Sequence, residues 1–249
     1  PSILVIVSLF LALYNLEHYP RTWFDEGSYL HVPKSLAVYG RYADYSSEGF
    51  RYDGPATGTG VGPTVILPIA LAFKIFGVGL LQARLVMVVY LLLTLGAYYL
   101  LANHLFGRTV ALVSTFFLLG SPGVAFMQLG RQALGEVPAF GFFLAACLLW
   151  FSAFDRGQPI RLLLSGVALG LAMSTKSHYA LIVPPALLLL WAFDRWRQRR
   201  IRGRYIVVPL AIGVGTFGLW YVFQLLYLGP AELLANAQRT SAASSGAIF

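Results

Sequence analysis

In the stretch WFDEGSY (residues 23–29), two adjacent carboxylates, Asp25 and Glu26, follow an apolar run that extends from Ser2 to about Tyr19. Charged side chains are costly to hold at the edge of a hydrocarbon layer, so such a pair belongs in the headgroup zone or in a wet cavity that opens there. The pair alone leaves two interpretations open: a functional site, or the solvated start of a long loop. Features elsewhere in the chain favour the first.

The composition is that of an integral membrane protein. Of the 249 residues, 58% are hydrophobic and only 11% are charged, far from the usage of a soluble domain. The net charge of +8 does not indicate nucleic-acid binding, because the basic residues lie between apolar runs and are typical of topology determinants. The single cysteine, Cys147, excludes both a disulfide framework and a cysteine-based metal site.

The apolar runs predict an all-α polytopic membrane protein with about seven transmembrane helices. The segment from Pro63 to Gly77 is too short for a span and is typical of a re-entrant or interfacial segment. A small-residue pattern at Gly166, Gly170 and Ala172 predicts close helix packing. The predicted spans are approximately residues 2–19, 80–105, 108–127, 136–154, 162–175, 180–196 and 205–228.

The positive residues predict the orientation of these spans. If Pro63 to Gly77 does not cross the membrane, the loops containing Arg108, Arg156 and Arg161, and 195–204 fall on one side, which we interpret as cytoplasmic. The carboxylate loop, the turn at 128–136 and the turn at 176–178 then share the outer side. Counting Pro63 to Gly77 as a span would instead place the carboxylate loop and Glu136 in opposite compartments.

The outer loop, residues 21–79, is predicted to be ordered because it is rich in aromatic residues. A helix is expected from Glu26 to Tyr39, interrupted at Pro33, with the carboxylates at its N-terminus and Gly40 as its C-cap. We expect residues 1–228 to form one transmembrane module. Residues 229–249 are expected to be an outer-side tail, the start of a truncated C-terminal region.

A second cluster of charged residues is predicted on the outer side. Glu136 precedes Pro138 at the start of a span, where it is either a helix cap or a functional carboxylate at a helix N-terminus. Arg131 lies five residues earlier, and Lys176 and His178 border the same face. Arg131 is near enough to pair with Glu136 or with a phosphate, and a cluster of Lys, Arg and His around three carboxylates favours a functional site.

Taken in order, these motifs resemble one family of membrane enzymes. An Asp-Glu pair opens the outer loop, a segment ending in Phe-Lys-Ile-Phe-Gly follows, and Leu-Phe-Gly-Arg, an Arg-x-x-x-x-Glu-x-Pro turn and Leu-Ala-Met-Ser-Thr-Lys come later. This order, from Ser2 to about Leu228, is similar to the N-terminal helical module of the GT-C polyprenyl-phosphate-sugar glycosyltransferases, which include protein O-mannosyltransferases and aminoarabinose transferases. One difference, Asp53-Gly54-Pro55 where some aminoarabinose transferases have Glu-Lys-Pro, leaves the acceptor class open.

The resemblance implies a glycosyltransferase in the bacterial cytoplasmic membrane with its site on the outer face. Asp25 matches the essential loop acid, Glu26 its neighbour and Glu136 the acid of the second outer loop, while Lys176 matches a lysine near the donor phosphate. The implied partners are a polyprenyl-phosphate sugar donor, membrane lipid and a partner membrane subunit, with no nucleic acid.

The expected chemistry follows from the charges in the transition state. Negative charge grows on the leaving phosphate, so we expect Arg131 and Lys176, with Arg84 or His178, to stabilise it. Asp25 is the candidate base for the acceptor hydroxyl. Glu26 and Glu136 would position the acceptor, tune the base or hold a metal; a divalent cation, if present, would be bound by Asp25 and Glu136.

The sequence is also compatible with two other functional classes. A non-catalytic scaffold or assembly subunit could derive from the same module. A transporter is less consistent with the sequence, because no inverted repeat or broken midplane helix is visible and the spans are almost free of charge.

Overall fold

The computed structural model describes residues 2–43, 60–120, 125–197, 201–231, 233–235 and 238. Their regular secondary structure is helical, and this confirms the predicted all-α fold. Ten helices are defined within the described residues, and all but the sixth are twelve residues or longer. They are α1 (Ser2–Leu13), α2 (Phe24–Tyr39), α3 (Pro63–Phe76), α4 (Leu80–Phe106), α5 (Arg108–Gly120), α6 (Phe126–Arg131), α7 (Glu136–Arg156), α8 (Pro159–Thr175), α9 (His178–Arg197) and α10 (Arg204–Leu228).

Four of the described helices, α4, α7, α9 and α10, are long and apolar enough to cross a membrane. Each coincides with a predicted span. The apolar helices α1, α5 and α8 lie at the three other predicted spans but are shorter. At 1.5 Å per residue, the 12 residues of α1 extend only about 18 Å, less than the hydrocarbon thickness of about 30 Å.

Two helices end earlier in the structure than the apolar runs predict. The first helix stops at Leu13 because the chain turns at Asn15, which has a φ of 50°. The helix predicted to continue to about residue 127 ends at Gly120, and residues 126–131 form the separate helix α6. The segments that follow these two helix ends bring polar side chains to the same end of the bundle, next to α2.

Helices α4, α7, α8 and α10 form the centre of the bundle, where α7 packs against α4 and α8, and α8 packs against α10. The contact between α8 and α10 is close because glycines line it, as predicted for Gly166 and Gly170. A methyl group on Gly170 would lie 2.7 Å from the carbonyl oxygen of Gly213. Such a seam fixes the position of α8, whose last residues carry part of the site described below.

Helices α2 and α3 form a layer at one end of this bundle. α2 packs on α3, and α3 contacts α4 and α8. The predicted helix after the carboxylates is confirmed and runs through Pro33 without ending; Gly40 caps it with a φ of 68° and an N–H bond to Leu36. The acceptor-class difference at residues 53–55 lies outside the described residues.

The two ends of the bundle differ in charge. Glu136 and Lys176 lie where α7 begins and α8 ends, and we call this the carboxylate end. Arg156 and Arg161 lie at the opposite ends of the same helices. There His104 Nε2 of α4 is 3.1 Å from an Asp155 oxygen.

Candidate functional site

The first turn of α2 presents Asp25 and Glu26 in two different environments. Both lie at the helix N-terminus, where unpaired backbone N–H groups and the helix dipole favour negative charge. The side chain of Asp25 is partly exposed, whereas that of Glu26 is fully buried. One helical turn therefore supplies an accessible acid and an inaccessible one.

Glu26 is held by a buried ion pair with Arg84 of α4. Arg84 Nε donates to one carboxylate oxygen at 3.0 Å and Nη2 to the other at 2.7 Å. The backbone N–H of Ala133 donates to the same carboxylate at 3.1 Å. Both side chains are 0% exposed, so this bidentate contact joins α2, α4 and the turn after α6 without water.

Side chains of α4 and of residues 128–132 also hold the connector between α1 and α2, residues 14–21. Their donors satisfy connector carbonyls that no helix uses, and thereby fix the approach to α2. Gln128 and Gln132 were not identified from the sequence, and no motif marks them. The contacts are Arg84 Nη1 to the Leu16 carbonyl at 2.8 Å, Arg131 to the Tyr14 carbonyl, Gln128 Nε2 to the Tyr19 hydroxyl at 2.7 Å and Gln132 Nε2 to the Arg21 carbonyl at 2.9 Å.

Arg131 is a buried cation at this junction. Its side chain lies over the ring of Tyr19, with the guanidinium carbon 5.6 Å from the ring centroid. Its Nε atom is buried and makes no hydrogen bond to the described residues. Burial, together with the positive charge of nearby Arg84, lowers the pKa of Arg131 from its usual value.

A second ion pair, between Lys176 and Glu136, lies at the surface of the carboxylate end. The distance from Lys176 Nζ to Glu136 Oε1 is 2.7 Å, and the side chains are 12% and 45% exposed. Tyr29 of α2 packs beneath it, with the ammonium 5.9 Å from the ring centroid. Burial and the negative charges of Asp25 and Glu136 raise the pKa of Tyr29. Both carboxylates therefore lie within electrostatic range of one phenol.

The backbone next to Lys176 is fixed by residues at the N-terminus of α3. The N–H of Gly62 donates to the Thr175 carbonyl at 3.0 Å, and the Thr64 and Thr175 hydroxyls are 2.6 Å apart. A methyl group on Gly62 would lie 1.6 Å from the Ser174 carbonyl oxygen. The aliphatic stem of Lys176 runs against Gly135, where an added methyl group would be 3.0 Å away.

The structure brings together three of the residues predicted for the site. Glu136 and Lys176 form an ion pair at the Tyr29 ring, and Asp25 lies one turn before Tyr29 on α2. Glu26, next to Asp25, forms the buried pair with Arg84. The predicted phosphate contacts of Arg84 and Arg131 are not favoured by this geometry, because both are buried and bound to the connector. His178 is exposed at the first residue of α9.

No cluster of three or more His, Cys, Asp or Glu side chains suited to a metal occurs in the described part of the chain. Binding of a divalent cation by Asp25 and Glu136 therefore stays a prediction. The catalytic and phosphate-binding roles of all these residues are likewise predictions.

A comparison with protein families identifies the chain. The sequence model described as dolichyl-phosphate-mannose-protein mannosyltransferase matches residues 60–221. This chain belongs to that mannosyltransferase family. The match contains α3, α4, α7 and α8 entirely, and with them Glu136 and Lys176. The predicted membership of the GT-C superfamily is thus confirmed.

Individual relatives of this mannosyltransferase-family chain are bacterial. An uncharacterized protein of Aquifex aeolicus is 28% identical over 229 residues, which cover 90% of this chain and 43% of that protein. An enzyme of Pseudomonas fluorescens named undecaprenyl phosphate-alpha-4-amino-4-deoxy-L-arabinose arabinosyl transferase 1 is 28% identical over 212 residues, 83% of this chain and 36% of its own. The chain thus spans less than half the length of these relatives.

Solved structures with the same fold include ArnT from Cupriavidus metallidurans. The crystal structure bound to undecaprenyl phosphate has a TM-score of 0.67 and 21% identity, covering 92% of this chain and 42% of ArnT. The apo structure has a TM-score of 0.66 and 19% identity. The helices of this mannosyltransferase-family chain are therefore arranged as in part of ArnT.

Proposed function

We propose that this protein is a membrane glycosyltransferase that moves a sugar from a polyprenyl-phosphate donor to an acceptor hydroxyl on the non-cytoplasmic face. The observation that carries the proposal is the arrangement at one end of the bundle, where the Glu136–Lys176 ion pair lies at the Tyr29 ring and Asp25 stands one helical turn before Tyr29 on α2. Family membership and relatives named as undecaprenyl-phosphate-dependent transferases support the donor class.

Asp25 is the proposed general base. It is the accessible acid of the first turn of α2, whereas Glu26 beside it is fully buried. A carboxylate that accepts the acceptor's proton during attack contributes about a hundredfold or more to the rate. Asp25 can take this role only if α2 holds it steady, and the buried Glu26–Arg84 pair in the same turn provides that support.

Lys176 is the proposed cation for the donor phosphate. Negative charge grows on the phosphate as the glycosidic bond breaks, so an ammonium fixed nearby stabilises the transition state more than the ground state. The Lys176 stem is confined by Gly135 and the Tyr29 ring, and the carbonyl of the preceding residue, Thr175, is bound by the Gly62 N–H. We assign Arg84 and Arg131 to holding the connector, and His178 stays a candidate phosphate contact at the rim.

The test of this proposal is the variant Asp25→Asn, assayed with labelled undecaprenyl-phosphate sugars in membranes and then with the purified protein in detergent. Transfer by the wild type identifies the sugar, and Asp25→Asn is expected to reduce it about a hundredfold or more. Its melting temperature should stay close to that of the wild type because, among the described residues, Asp25 makes no buried contact comparable to that of Glu26.

Asp155→Asn is the matched control for this test. It removes the same charge at the basic end of α7, and we expect it to retain transfer. Wild-type turnover by Asp25→Asn would remove Asp25 from the mechanism. Absence of transfer from every polyprenyl-phosphate sugar by the wild type would contradict the enzymatic proposal and favour the scaffold.

A further inference from the structure

The ion pair between Glu136 and Lys176 poses a problem for phosphate binding. Lys176 is the cation proposed for the donor phosphate, yet its ammonium is already 2.7 Å from a carboxylate. Only 12% of the Lys176 side chain is exposed, so little of it is open to a second anion. A phosphate placed on the same ammonium would also lie next to the Glu136 charge, and like charges at that distance repel each other.

We propose that Glu136 is an internal competitor for the donor phosphate: it occupies Lys176 in the empty site, and the phosphate displaces it on binding. The proposal rests on the proposed function, because it assumes that a polyprenyl phosphate binds at Lys176. Displacement converts Glu136 from a partner of the ammonium into a free carboxylate at the carboxylate end. Binding of the donor thereby completes the acidic side of the site.

The two partners are suited to this exchange in different ways. Glu136 is 45% exposed and lies in the first turn of α7, so on release it gains water and keeps the favourable helix N-terminus. Lys176 cannot leave in the same way, because its stem is confined by Gly135 and the carbonyl of Thr175 just before it is bound by the Gly62 N–H. The carboxylate is therefore the mobile partner, and the ammonium stays at the site.

The exchange separates affinity from rate. Removing the Glu136 charge eliminates the competitor, so a phosphate should bind Lys176 more tightly. The same change removes a carboxylate from the loaded site, so turnover should fall. Replacing a residue with a purely structural role would lower donor affinity and turnover together. Replacing a residue that binds the donor directly would lower donor affinity.

The experiment measures undecaprenyl phosphate binding to wild-type protein, Glu136→Gln and Asp155→Asn, all purified in detergent. We expect Glu136→Gln to bind about twofold to fivefold more tightly, the upper part of the range for release of a partly exposed ion pair. Asp155→Asn, which changes the charge equally at the other end of α7, should bind like the wild type. In transfer assays Glu136→Gln should lower both KM for the donor and kcat.

The possible outcomes separate this inference from the proposed function. Equal or weaker binding by Glu136→Gln overturns the inference while the proposed function stands. If Asp155→Asn binds undecaprenyl phosphate as much more tightly as Glu136→Gln does, the inference is also overturned, because the loss of any negative charge would then explain the tighter binding. If the wild type binds no undecaprenyl phosphate, the proposed function fails and the inference fails with it.

A second measurement uses the wild-type protein and does not depend on the folding of a variant. A water-soluble carbodiimide activates a carboxylate as an O-acylisourea; attack by a contacting amine forms an amide and releases a urea. We expect a Glu136–Lys176 cross-link, detected by mass spectrometry, whose yield falls with undecaprenyl phosphate but not with uncharged undecaprenol. A yield that saturating undecaprenyl phosphate leaves unchanged would overturn displacement.

Discussion

Two carboxylate–cation pairs lie at the same end of this molecule and differ in almost every respect except distance. In both, the carboxylate belongs to the first turn of a helix and the shortest nitrogen–oxygen distance is 2.7 Å. Glu26 and Arg84 are both 0% exposed, while Glu136 is 45% exposed. The same shortest distance thus accompanies rigid support in one place and exchange in the other.

The difference arises from the hydrogen bonds around each pair. The buried carboxylate accepts two guanidinium bonds and one backbone N–H, and the same guanidinium binds a connector carbonyl. Such a pair can stay buried because its charged atoms are hydrogen-bonded within the protein. The surface pair has a single ion contact and access to water, so its partners can separate at little cost.

The largest effect is expected from breaking the buried pair. Arg84→Met would leave the Glu26 carboxylate buried with only the Ala133 N–H, and would free the Leu16 carbonyl. We expect a loss of about 3–5 kcal/mol in the free energy of unfolding, the range for an orphaned buried charge. Thermal and chemical unfolding in detergent would measure it.

A double variant sharpens this prediction. In Glu26→Gln/Arg84→Met no charge is left uncompensated, so the loss should be smaller than the sum of the two single losses. A strictly additive result would mean that the two side chains do not depend on each other. If Arg84→Met lowered the free energy of unfolding by less than about 1 kcal/mol, the buried pair would stabilise the protein no more than an exposed ion pair does.

Several features of the fold were predictable from local patterns in the sequence. The helices, the Gly40 cap and the close approach at Gly166 and Gly170 follow from apolar length, a C-terminal glycine and small-residue spacing. These signals are local, and the structure confirms them. The early ends of α1 and α5 were missed because an apolar run does not show where the chain turns.

Residue types alone did not show how the charges pair. Arg84, Arg131 and Lys176 were all predicted to bind phosphate, because each is a cation near carboxylates in the predicted topology. Burial distinguishes them, and burial depends on which helices pack together. Tyr29, whose ring lies next to the Lys176 ammonium, stands four residues after Asp25. That helical spacing was the available signal that Tyr29 and Asp25 share one face of α2.

An intermediate effect is expected at the backbone contact that holds Lys176. In Gly62→Ala the new methyl group would lie 1.6 Å from the Ser174 carbonyl oxygen, so the end of α8 or the start of α3 must move. We expect about 1–3 kcal/mol of destabilisation, typical of overpacking, with weaker donor binding because Lys176 shifts. Gly27→Ala is the control: its methyl group meets nothing within 4 Å. Equal unfolding midpoints for the two variants would contradict this account.

The smallest effect on stability is expected from breaking the exposed pair. Lys176→Met keeps the stem that packs against Gly135 and removes only the ammonium, and Glu136 can turn to water. We therefore expect a loss of less than about 1 kcal/mol in the free energy of unfolding, well below that of Arg84→Met. Donor binding should nevertheless weaken markedly, and acceptor binding much less, because the ammonium is the proposed phosphate contact. Equal weakening of both ligands would argue against that contact, and a stability loss as large as that of Arg84→Met would show that the pair at the surface is structural too.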